Sequence, residues 1–405
     1  MNTDIISKRN IRISYLLGFI NNAWFWLGIW VFYYLRFTNY AGIGIIETVL
    51  VVTHVATEIP TGAIADLLGK KNTLIASFIF QSVGNILMGL SPNFSFLIFS
   101  VIIGGIGGSL YSGTLEALVY DSLKQDGKEP TYPKVIANLN SVQLIAPAVC
   151  GIIGGLIYRV SPGLPFIILG ILDLIALFTC FLLTEPKVDT IKFSLRNFIS
   201  QTKYGIGELT KNVKVRYQTL LLLSLGVVIV IVDQMLDGFL SVEYGYGPAL
   251  IGILWSIIYL ASSLSSQFTP YILRIFGKTK LFLLIGILIA ITLLISPILG
   301  LIVGGLSLIF RSSLAAVFEN LASITINEHT ESKYRATTIS TFNMFKNIPY
   351  VALAFILGSL SDRYSAKNTA FFMGIVLIAI LIAHLLFSKK KNNHQSIDQT
   401  TLTSG

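Results

Sequence analysis

The residues of this sequence with the clearest chemical potential are ionisable side chains inside long apolar stretches. Asp233 and Asp237 are four residues apart in one such stretch, so they share a face if it is helical. Two carboxylates this close in a medium of low dielectric cannot easily both ionise, so one is expected to hold a proton. The spacing therefore predicts a proton-coupling device. The competing interpretation is that one acid simply pairs with an embedded cation, such as Arg311 or Lys346.

Arg311 and Lys346 fall near the middle of their own apolar stretches, by a rise of about 1.5 Å per helical residue. There they form a basic element that can attract an anionic substrate. Neutralisation by the acids at Asp233 and Asp237 is the alternative use. Glu47 and Glu58, both in another apolar stretch, are further candidates for proton coupling.

Polar and aromatic residues near the start of the chain form a candidate solute pocket. Asn21, Asn22, Trp24 and Trp26 lie within six residues of one another in the first apolar stretch. Aromatic faces with a few amide groups suit a small amphipathic or aromatic solute. The alternative is that these rings only pack against other helices or face lipid.

The composition requires these residues to be positioned by membrane helices. Of 405 residues, 54% are apolar and only 12% are Asp, Glu, Lys or Arg, which is about half the charged fraction of a soluble domain. A span of the hydrocarbon takes about 20 helical residues. We therefore predict an all-α integral membrane fold of twelve spans, six before and six after a polar stretch. The apolar blocks run at about 13–35, 41–64, 73–90, 94–118, 135–158, 163–183, 217–242, 249–273, 281–298, 300–325, 336–357 and 369–387.

The block pattern also predicts the domain organisation. We expect an N-terminal six-helix bundle over 1–184, a cytoplasmic linker over 185–216, a C-terminal six-helix bundle over 217–388 and a polar tail over 389–405. The first block is too long for a signal-peptide core and lacks a small-residue cleavage site, so we expect it to be retained.

The basic residues predict the orientation. With the N-terminus in the cytoplasm, 23 of the 29 Lys and Arg residues fall in inner segments and only four in outer loops. Both termini are therefore expected to be cytoplasmic. The net charge of +9 reflects this asymmetry, and no basic cluster interleaved with exposed aromatics indicates nucleic-acid binding.

The two halves of the chain are related by a weak internal repeat. Residues 64–70 align with residues 272–278 at an offset of 208, in the segment that joins the second and third helix of each half. Glu116 and Glu319 are followed, 16 and 15 positions later, by a Tyr that opens the next helix. Such repeats are typical of duplicated transporter folds.

One loop carries the most specific motif, between the second and third blocks. It combines Gly, Asp, Gly and two basic residues at Gly62, Asp66, Gly69, Lys70 and Lys71. In this it resembles the major facilitator superfamily of secondary transporters, departing only at Leu67, where a basic residue is usual. The resemblance covers the full six-plus-six length and implies that this loop latches the cytoplasmic side when the protein faces outward.

The resemblance also assigns roles to other residues. In the second copy of the motif Arg274 replaces the Asp, so that copy is expected to have lost the latch. We place Arg274 with Glu116 and Glu319, at the cytoplasmic ends of the fourth and tenth helices, in an intracellular gate. In this family helices one, four, seven and ten line the cavity, which favours Asp233 and Asp237 as functional.

The fifth block resembles an element of the family's efflux antiporters. Pro147 bends the helix, while Gly151 and Gly155 offer a surface for close packing. Generic packing explains these residues about equally well. The fourth block lacks the Arg that proton-coupled exporters of the family usually carry there, so a standard coupling arrangement is not expected.

Together these features predict a secondary transporter of the cytoplasmic membrane, and not an enzyme. The leading hypothesis is proton-coupled efflux of a small amphipathic solute by alternating access; the alternative is a proton-coupled uptake symporter on the same fold. A membrane enzyme or a receptor is disfavoured because His, Cys or Asp residues do not cluster at a membrane face. We expect a monomer in the lipid bilayer, with protons and a small molecule as partners, no cofactor and no metal; the only cysteines, Cys150 and Cys180, lie apart in apolar blocks.

Overall fold

The computed structural model describes residues 3–187, 195–331 and 334–402, and side chains for most of these. Within this part of the chain the regular structure is helical, without strands. In chain order the α-helices are α1 (Thr3–Asn21), α2 (Trp30–Tyr34), α3 (Tyr40–Leu68), α4 (Lys70–Gly89), α5 (Phe94–Tyr111), α6 (Thr114–Gln125), α7 (Tyr132–Val160), α8 (Leu164–Cys180), α9 (Leu195–Thr210), α10 (Val213–Ile231), α11 (Asp237–Glu243), α12 (Pro248–Gln267), α13 (Thr269–Phe276), α14 (Lys278–Leu294), α15 (Leu301–His329), α16 (Arg335–Tyr364) and α17 (Ala366–Leu402). The predicted all-α fold is confirmed.

Most of these helices suit a bilayer. In the described residues eight helices are long and apolar enough to cross a membrane, and a ninth is counted if α13 and α14, which meet at 109°, form one span. Each of the twelve predicted blocks contains helix, but twelve complete crossings stay a prediction.

Helix starts are fixed by local capping. Asn93 precedes α5, and its side-chain oxygen accepts a hydrogen bond from the Phe96 N–H at 3.0 Å. Asn212 caps α10 in the same way, accepting from the Val215 N–H at 2.9 Å. Each cap satisfies one of the backbone donors left free in a first turn.

The first apolar block is not one continuous helix. Helix α1 ends at Asn21 and α2 begins at Trp30, and residues 22–29 between them form turns. The sequence analysis treated residues 13–35 as a single span, which is wrong in this respect. Irregular backbone at membrane depth is tolerated only where protein or a water-filled cavity surrounds it.

The seventh block contains a second irregularity. Residues Val232–Leu236, between α10 and α11, form a π-helical turn, and Asp233 lies in it. Such wide turns inside α-helices occur frequently at functional sites. Hydropathy alone does not predict them, because the apolar run continues through the turn.

By residue contacts the chain divides into two compact units. Unit 1 comprises Met1–Ser200, Gly245–Leu260 and Val351–Ser359, and unit 2 comprises Gln201–Tyr244, Ala261–Tyr350 and Leu360–Gly405. The sequence-based boundaries at 184, 216 and 388 stay predictions. Inside unit 1, a buried apolar cluster joins α1, α4, α6, α7 and α8; its fully buried members include Leu17, Leu74, Phe78, Leu115, Leu139 and Ala176.

The internal repeat is visible in the backbone. Gly69 separates α3 from α4 with φ 85° and ψ 158°, and Gly277 separates α13 from α14 with φ 69° and ψ 166°. The two glycines are 208 positions apart, the offset of the sequence repeat. Positive φ at these turns favours glycine because it lacks a Cβ atom.

Candidate functional site

Unit 2 gathers five charged residues from three blocks into one group, which we call the charge cluster. Two come from the seventh block, two from α15 and one from α16. Its members are Asp233, Asp237, Arg311, Glu319 and Lys346. The sequence analysis had assigned them to three different roles, namely proton coupling, cavity lining and an intracellular gate.

Asp237 and Arg311 form a fully buried ion pair. Their exposed fractions are 1% and 2%. Arg311 Nε donates to Asp237 Oδ1 at 3.0 Å, and Nη2 of the same guanidinium also donates to Oδ1. Nη1 donates to the Thr292 hydroxyl oxygen at 3.3 Å. This pairing is the competing interpretation given above for the two acids of the seventh block.

Lys346 forms the second ion pair, with Glu319. Lys346 Nζ lies 2.5 Å from Glu319 Oε1, and the lysine side chain is buried while that of Glu319 is 44% exposed. The lysine stem packs against Gly226, where an added Cβ atom would lie 2.9 Å from Lys346 Cδ. Glu319 therefore neutralises a cation within the charge cluster, a contact that the assignment to an intracellular gate did not include.

Asp233 is the remaining acid of the charge cluster. It interacts electrostatically with Asp237, Glu319, Arg311 and Lys346, but it makes no hydrogen bond or ion pair with any described residue. Unlike Asp237, it is exposed, and it lines the small cavity described next. Two cations face three acids, so the charge cluster has one negative charge in excess, and that charge belongs to Asp233.

A small cavity adjoins the two aspartates. Its volume is about 10 Å³, which is near the minimum for one water molecule. Asp233, Asp237, Arg311 and Ser312 supply its polar lining. The Ser312 hydroxyl is buried without a hydrogen-bond partner in the described structure, so a water here would satisfy it.

The candidate solute residues lie at the break in the first block, in unit 1. Asn21, Asn22, Trp24 and Trp26 are all half-buried. The two indole rings stack, with centroids 5.4 Å apart and an interplanar angle of 25°. One amide and one indole group stabilise the break. The Asn22 side chain donates to the Gly18 carbonyl, and Trp24 Nε1 donates to the Asn21 carbonyl.

The glycines of α7 make room for this break. A Cβ atom at Gly154 would overlap the Phe25 carbonyl oxygen, and one at Gly151 would lie 3.2 Å from Leu27. A Cβ atom at Gly155 would lie 2.5 Å from the Pro248 carbonyl oxygen, where α12 begins. Pro147 lies within α7. The glycines of the fifth block thus pack against irregular backbone as well as against a helix.

The motif loop is held at the start of α4. Both carboxylate oxygens of Glu185 accept backbone N–H bonds, from Lys70 at 2.8 Å and from Lys71 at 2.7 Å. Lys70 Nζ pairs with Asp121 at 2.5 Å, and Lys71 Nζ donates to the Phe181 carbonyl. A carboxylate at a helix N-terminus satisfies free donors and complements the helix dipole. The side chains of 58–68, including Glu58, Gly62 and Asp66, lie outside the described residues.

The second copy of the motif retains an ion pair although it lacks the Asp. Lys278, the counterpart of Lys70, pairs with Glu328 near the end of α15. Arg274 is exposed and forms no ion pair within the described part of the chain. Glu116 is half-buried in α6, and its Oε2 atom has no hydrogen-bond partner among the residues described. The described structure does not bring Arg274, Glu116 and Glu319 together by any ion pair.

Two other embedded acids lie in unit 1. Glu47 is half-buried in α3 and interacts electrostatically with Tyr34. Asp173 is 1% exposed in α8 and accepts a hydrogen bond from Asn85 Nδ2 at 2.8 Å. Neither belongs to the charge cluster. Among the described residues no three His, Cys, Asp or Glu side chains lie close enough together to hold a metal ion.

Sequence reasoning missed three features of the site. Glu185 opens the polar stretch after the sixth block, and its position directly beyond a helix end was an available signal for a capping role. The break in the first block also had a signal, because Asn21, Asn22 and Gly28 are turn-forming residues within an apolar run. The π-helical turn at Asp233 had none.

Comparison with known proteins agrees with this architecture. The family model of the Major Facilitator Superfamily matches residues 13–351. Over 130 residues, 32% of each chain, the sequence is 30% identical to the quinolone resistance protein NorA of Staphylococcus aureus. Over 150 residues, 35% of each chain, it is 25% identical to a Na(+), Li(+), K(+)/H(+) antiporter of Planococcus maritimus. The matched stretches thus span about a third of these relatives.

Solved structures share the fold over almost the whole chain. The nucleoside transporter NupG superposes with a TM-score of 0.74 at 16% identity, over 96% of this chain and 100% of that one. A POT family transporter in complex with a thioalcohol conjugated peptide superposes with a TM-score of 0.71 at 15% identity, over 95% and 96%. The chain is a multi-pass membrane protein and belongs to the major facilitator superfamily of transporters.

Proposed function

We propose that this transporter exports a small amphipathic solute from the cytoplasm in exchange for protons, and that Asp233 carries the proton. The observation that supports this most directly is the charge count of the charge cluster. Asp237 and Glu319 are each neutralised by a cation, whereas Asp233 has no partner among the described residues. An uncompensated carboxylate at membrane depth is costly, so it favours binding a positive charge.

A proton and a cationic solute would compensate Asp233 in the same way. If only one of them can bind at a time, release of the proton accompanies binding of the solute. An exchanger requires this competition, because the protein then carries either the proton or the solute, and each of them shifts the population of the transport states when it is bound. The half-exposed stacked rings of Trp24 and Trp26 are our candidates for contact with an aromatic solute.

The names of the relatives favour exchange and export. One is a quinolone resistance protein and the other is a cation/proton antiporter. We further propose that the protein acts as a monomer in the cell membrane with both termini in the cytoplasm, as the distribution of Lys and Arg predicts. Uptake by symport is the alternative outcome of the transport test below.

The coupling residue is tested with purified protein in proteoliposomes, using ethidium as an amphipathic aromatic cation. An imposed pH gradient should drive ethidium movement by the wild type, and Asp233→Asn should reduce this movement at least about tenfold, since the proton-binding carboxylate is gone. Asp173→Asn is the matched control: it removes an embedded acid outside the charge cluster but keeps an oxygen for the Asn85 hydrogen bond. Wild-type coupling in Asp233→Asn would contradict the assignment.

The direction is tested separately in membrane vesicles from cells that produce the protein. Everted vesicles should accumulate ethidium when their interior is acidified. Right-side-out vesicles should not accumulate it when their exterior is acidified. Accumulation by intact cells that depends on this protein would contradict export and support uptake. The empty-vector membrane is the control.

A further inference from the structure

A line of buried hydroxyl groups runs through unit 2 from the charge cluster toward the end of the bundle where α11 ends. We call it the polar file. Each member is at most 8% exposed, and they come from α14 and the turn after it, from α15 and from the residue after α11. The members are Thr292, Ser296, Ser307 and Tyr244.

Contacts connect the polar file to the charge cluster. Arg311 Nη1 donates to Thr292 Oγ1 at 3.3 Å, and the Ser296 hydroxyl donates to the Thr292 carbonyl at 3.0 Å. Tyr244 has the side chains of Ser296 and Ser307 as its polar neighbours, and it interacts electrostatically with Arg311 and Asp237. Tyr244 follows Asp237 by seven residues, about two helical turns or 10.5 Å along the axis.

The Tyr244 hydroxyl is the unusual member. It is buried, yet it has no hydrogen bond of ordinary geometry with any described residue. A buried hydroxyl without such a bond is destabilising, and a phenylalanine at this position would avoid that cost. The hydroxyls of Thr292, Ser296 and Ser307 donate to carbonyls of their own segments. Each oxygen therefore keeps lone pairs for accepting, although one of those of Thr292 already accepts from Arg311 Nη1.

The polar file ends beneath a charged layer. Lys367 Nζ lies 5.3 Å from the centroid of the Tyr244 ring and donates to the Leu299 carbonyl. Glu243 accepts backbone N–H bonds from Ala366 and Lys367 and so holds the start of α17 there. The distribution of basic residues predicts that this end of the bundle faces the outside.

We propose that the polar file is the path by which protons from the outside reach the aspartates of the charge cluster. This inference rests on the proposed function, since it requires that Asp233 binds a proton. Each hydroxyl accepts a proton on a lone pair as it releases its own proton to the next acceptor, and it then rotates back, so the polar file is unchanged and one proton has moved inward. Because Arg311 Nη1 only donates to Thr292, the last step to the aspartates passes through water and not through the guanidinium. Water in the small cavity beside Asp233 and Asp237 would complete the connection.

The charged groups along the route are compatible with proton passage. The Arg311 guanidinium alone would repel an incoming proton, but Asp237 neutralises it. Lys346 is likewise neutralised by Glu319, and at the outer end Glu243 lies beside Lys367. The excess negative charge of Asp233 therefore remains as the attraction that draws a proton inward.

The test is the rate of proton entry in proteoliposomes loaded with a pH-sensitive dye. After an acid jump on the face that bears Tyr244, we expect Tyr244→Phe and Thr292→Val to slow ethidium-coupled proton entry at least about fivefold. Each removes a hydroxyl from the route with little change in side-chain volume. Thermal unfolding in detergent checks that both variants fold, because Thr292→Val also removes an acceptor of Arg311 Nη1. Thr325→Val is the matched control, because that hydroxyl is buried in α15 on the opposite side of the charge cluster.

A second readout separates this inference from the proposed function. The number of protons released when ethidium binds is an equilibrium quantity, so Tyr244→Phe should leave it unchanged while Asp233→Asn abolishes it. Wild-type entry rates in both Tyr244→Phe and Thr292→Val would overturn the polar file as the path, as would equal slowing by Thr325→Val. Wild-type proton release in Asp233→Asn would instead overturn the proposed function.

Discussion

At the scale of single residues, two acids of the charge cluster are neutralised by a cation and the third is not. The Asp237–Arg311 pair is fully buried and makes several hydrogen bonds. A buried pair of this kind adds little net stability, but removing one partner leaves an uncompensated charge. Asp233 has no ion-pair partner among the described residues, and we propose that its charge is the one that a ligand neutralises.

This difference predicts the stability of variants at the pair. Asp237→Asn alone leaves Arg311 without a counter-charge and should lower the stability of unit 2 by about 3–5 kcal/mol. The double variant Asp237→Asn with Arg311→Gln should recover most of that loss, because both charges are gone. Thermal unfolding in detergent measures this. If the double variant were less stable than both single variants, the pair would not be the neutralised element of the charge cluster.

Part of the charge cluster could be predicted from the sequence. Residue types and hydropathy were sufficient to identify Asp233, Asp237, Arg311 and Lys346 as embedded charges, and they placed Glu319 at the cytoplasmic end of its helix. They were not sufficient to pair them, because Glu319 and Lys346 are 27 positions apart and lie on different helices. The rotation of α15 and α16 about their axes decides which side chains meet, and it depends on packing that hydropathy does not report.

At the scale of elements, the break in the first block is the feature that hydropathy missed. The block is apolar throughout residues 23–35, so an average over it predicts one helix. Local turn residues and the surface of α7 determine the observed break. Gly154 is central, because the Phe25 carbonyl occupies the place where a Cβ atom would be.

Gly154→Ala should therefore be strongly destabilising. The added methyl group would overlap backbone, which cannot move aside as a flexible side chain can, so we expect a loss of at least about 2 kcal/mol. Gly207→Ala in α9 is the matched control: nothing lies within 4 Å of its added Cβ atom, and alanine should favour that helix by about 0.5–1 kcal/mol. Thermal unfolding compares them. Equal stability of the two variants would contradict the packing of the break against α7.

At the scale of the whole molecule, we expect from the family that transport proceeds by alternating access, in which helix ends on one side separate as those on the other close. Unit 1 contains candidate contacts for such a step. The Thr48 hydroxyl donates to the Val351 carbonyl at 3.1 Å, joining α3 to α16. The Ser256 hydroxyl donates to the Ala148 carbonyl at 2.7 Å, joining α12 to α7.

A cross-link across one of these contacts should stop transport. With Thr48→Cys and Val351→Cys in one chain, oxidation should reduce ethidium transport at least about tenfold, and a reductant should restore it, because α3 and α16 could no longer separate. The buried native cysteines, Cys150 and Cys180, should not interfere. Thr48→Cys alone is the control. Full activity of the cross-linked protein would mean that this contact persists throughout the cycle.

The account depends most on proton exchange at Asp233, and proton release on ligand binding tests it most directly. Ethidium binding to the purified transporter is measured by calorimetry in two buffers of different ionisation enthalpy, near the pH at which the free protein holds the proton. The wild type should release about one proton for each ethidium bound, and Asp233→Asn should bind with no buffer dependence. Equal proton release by both proteins would show that the proton is carried elsewhere and would contradict the account.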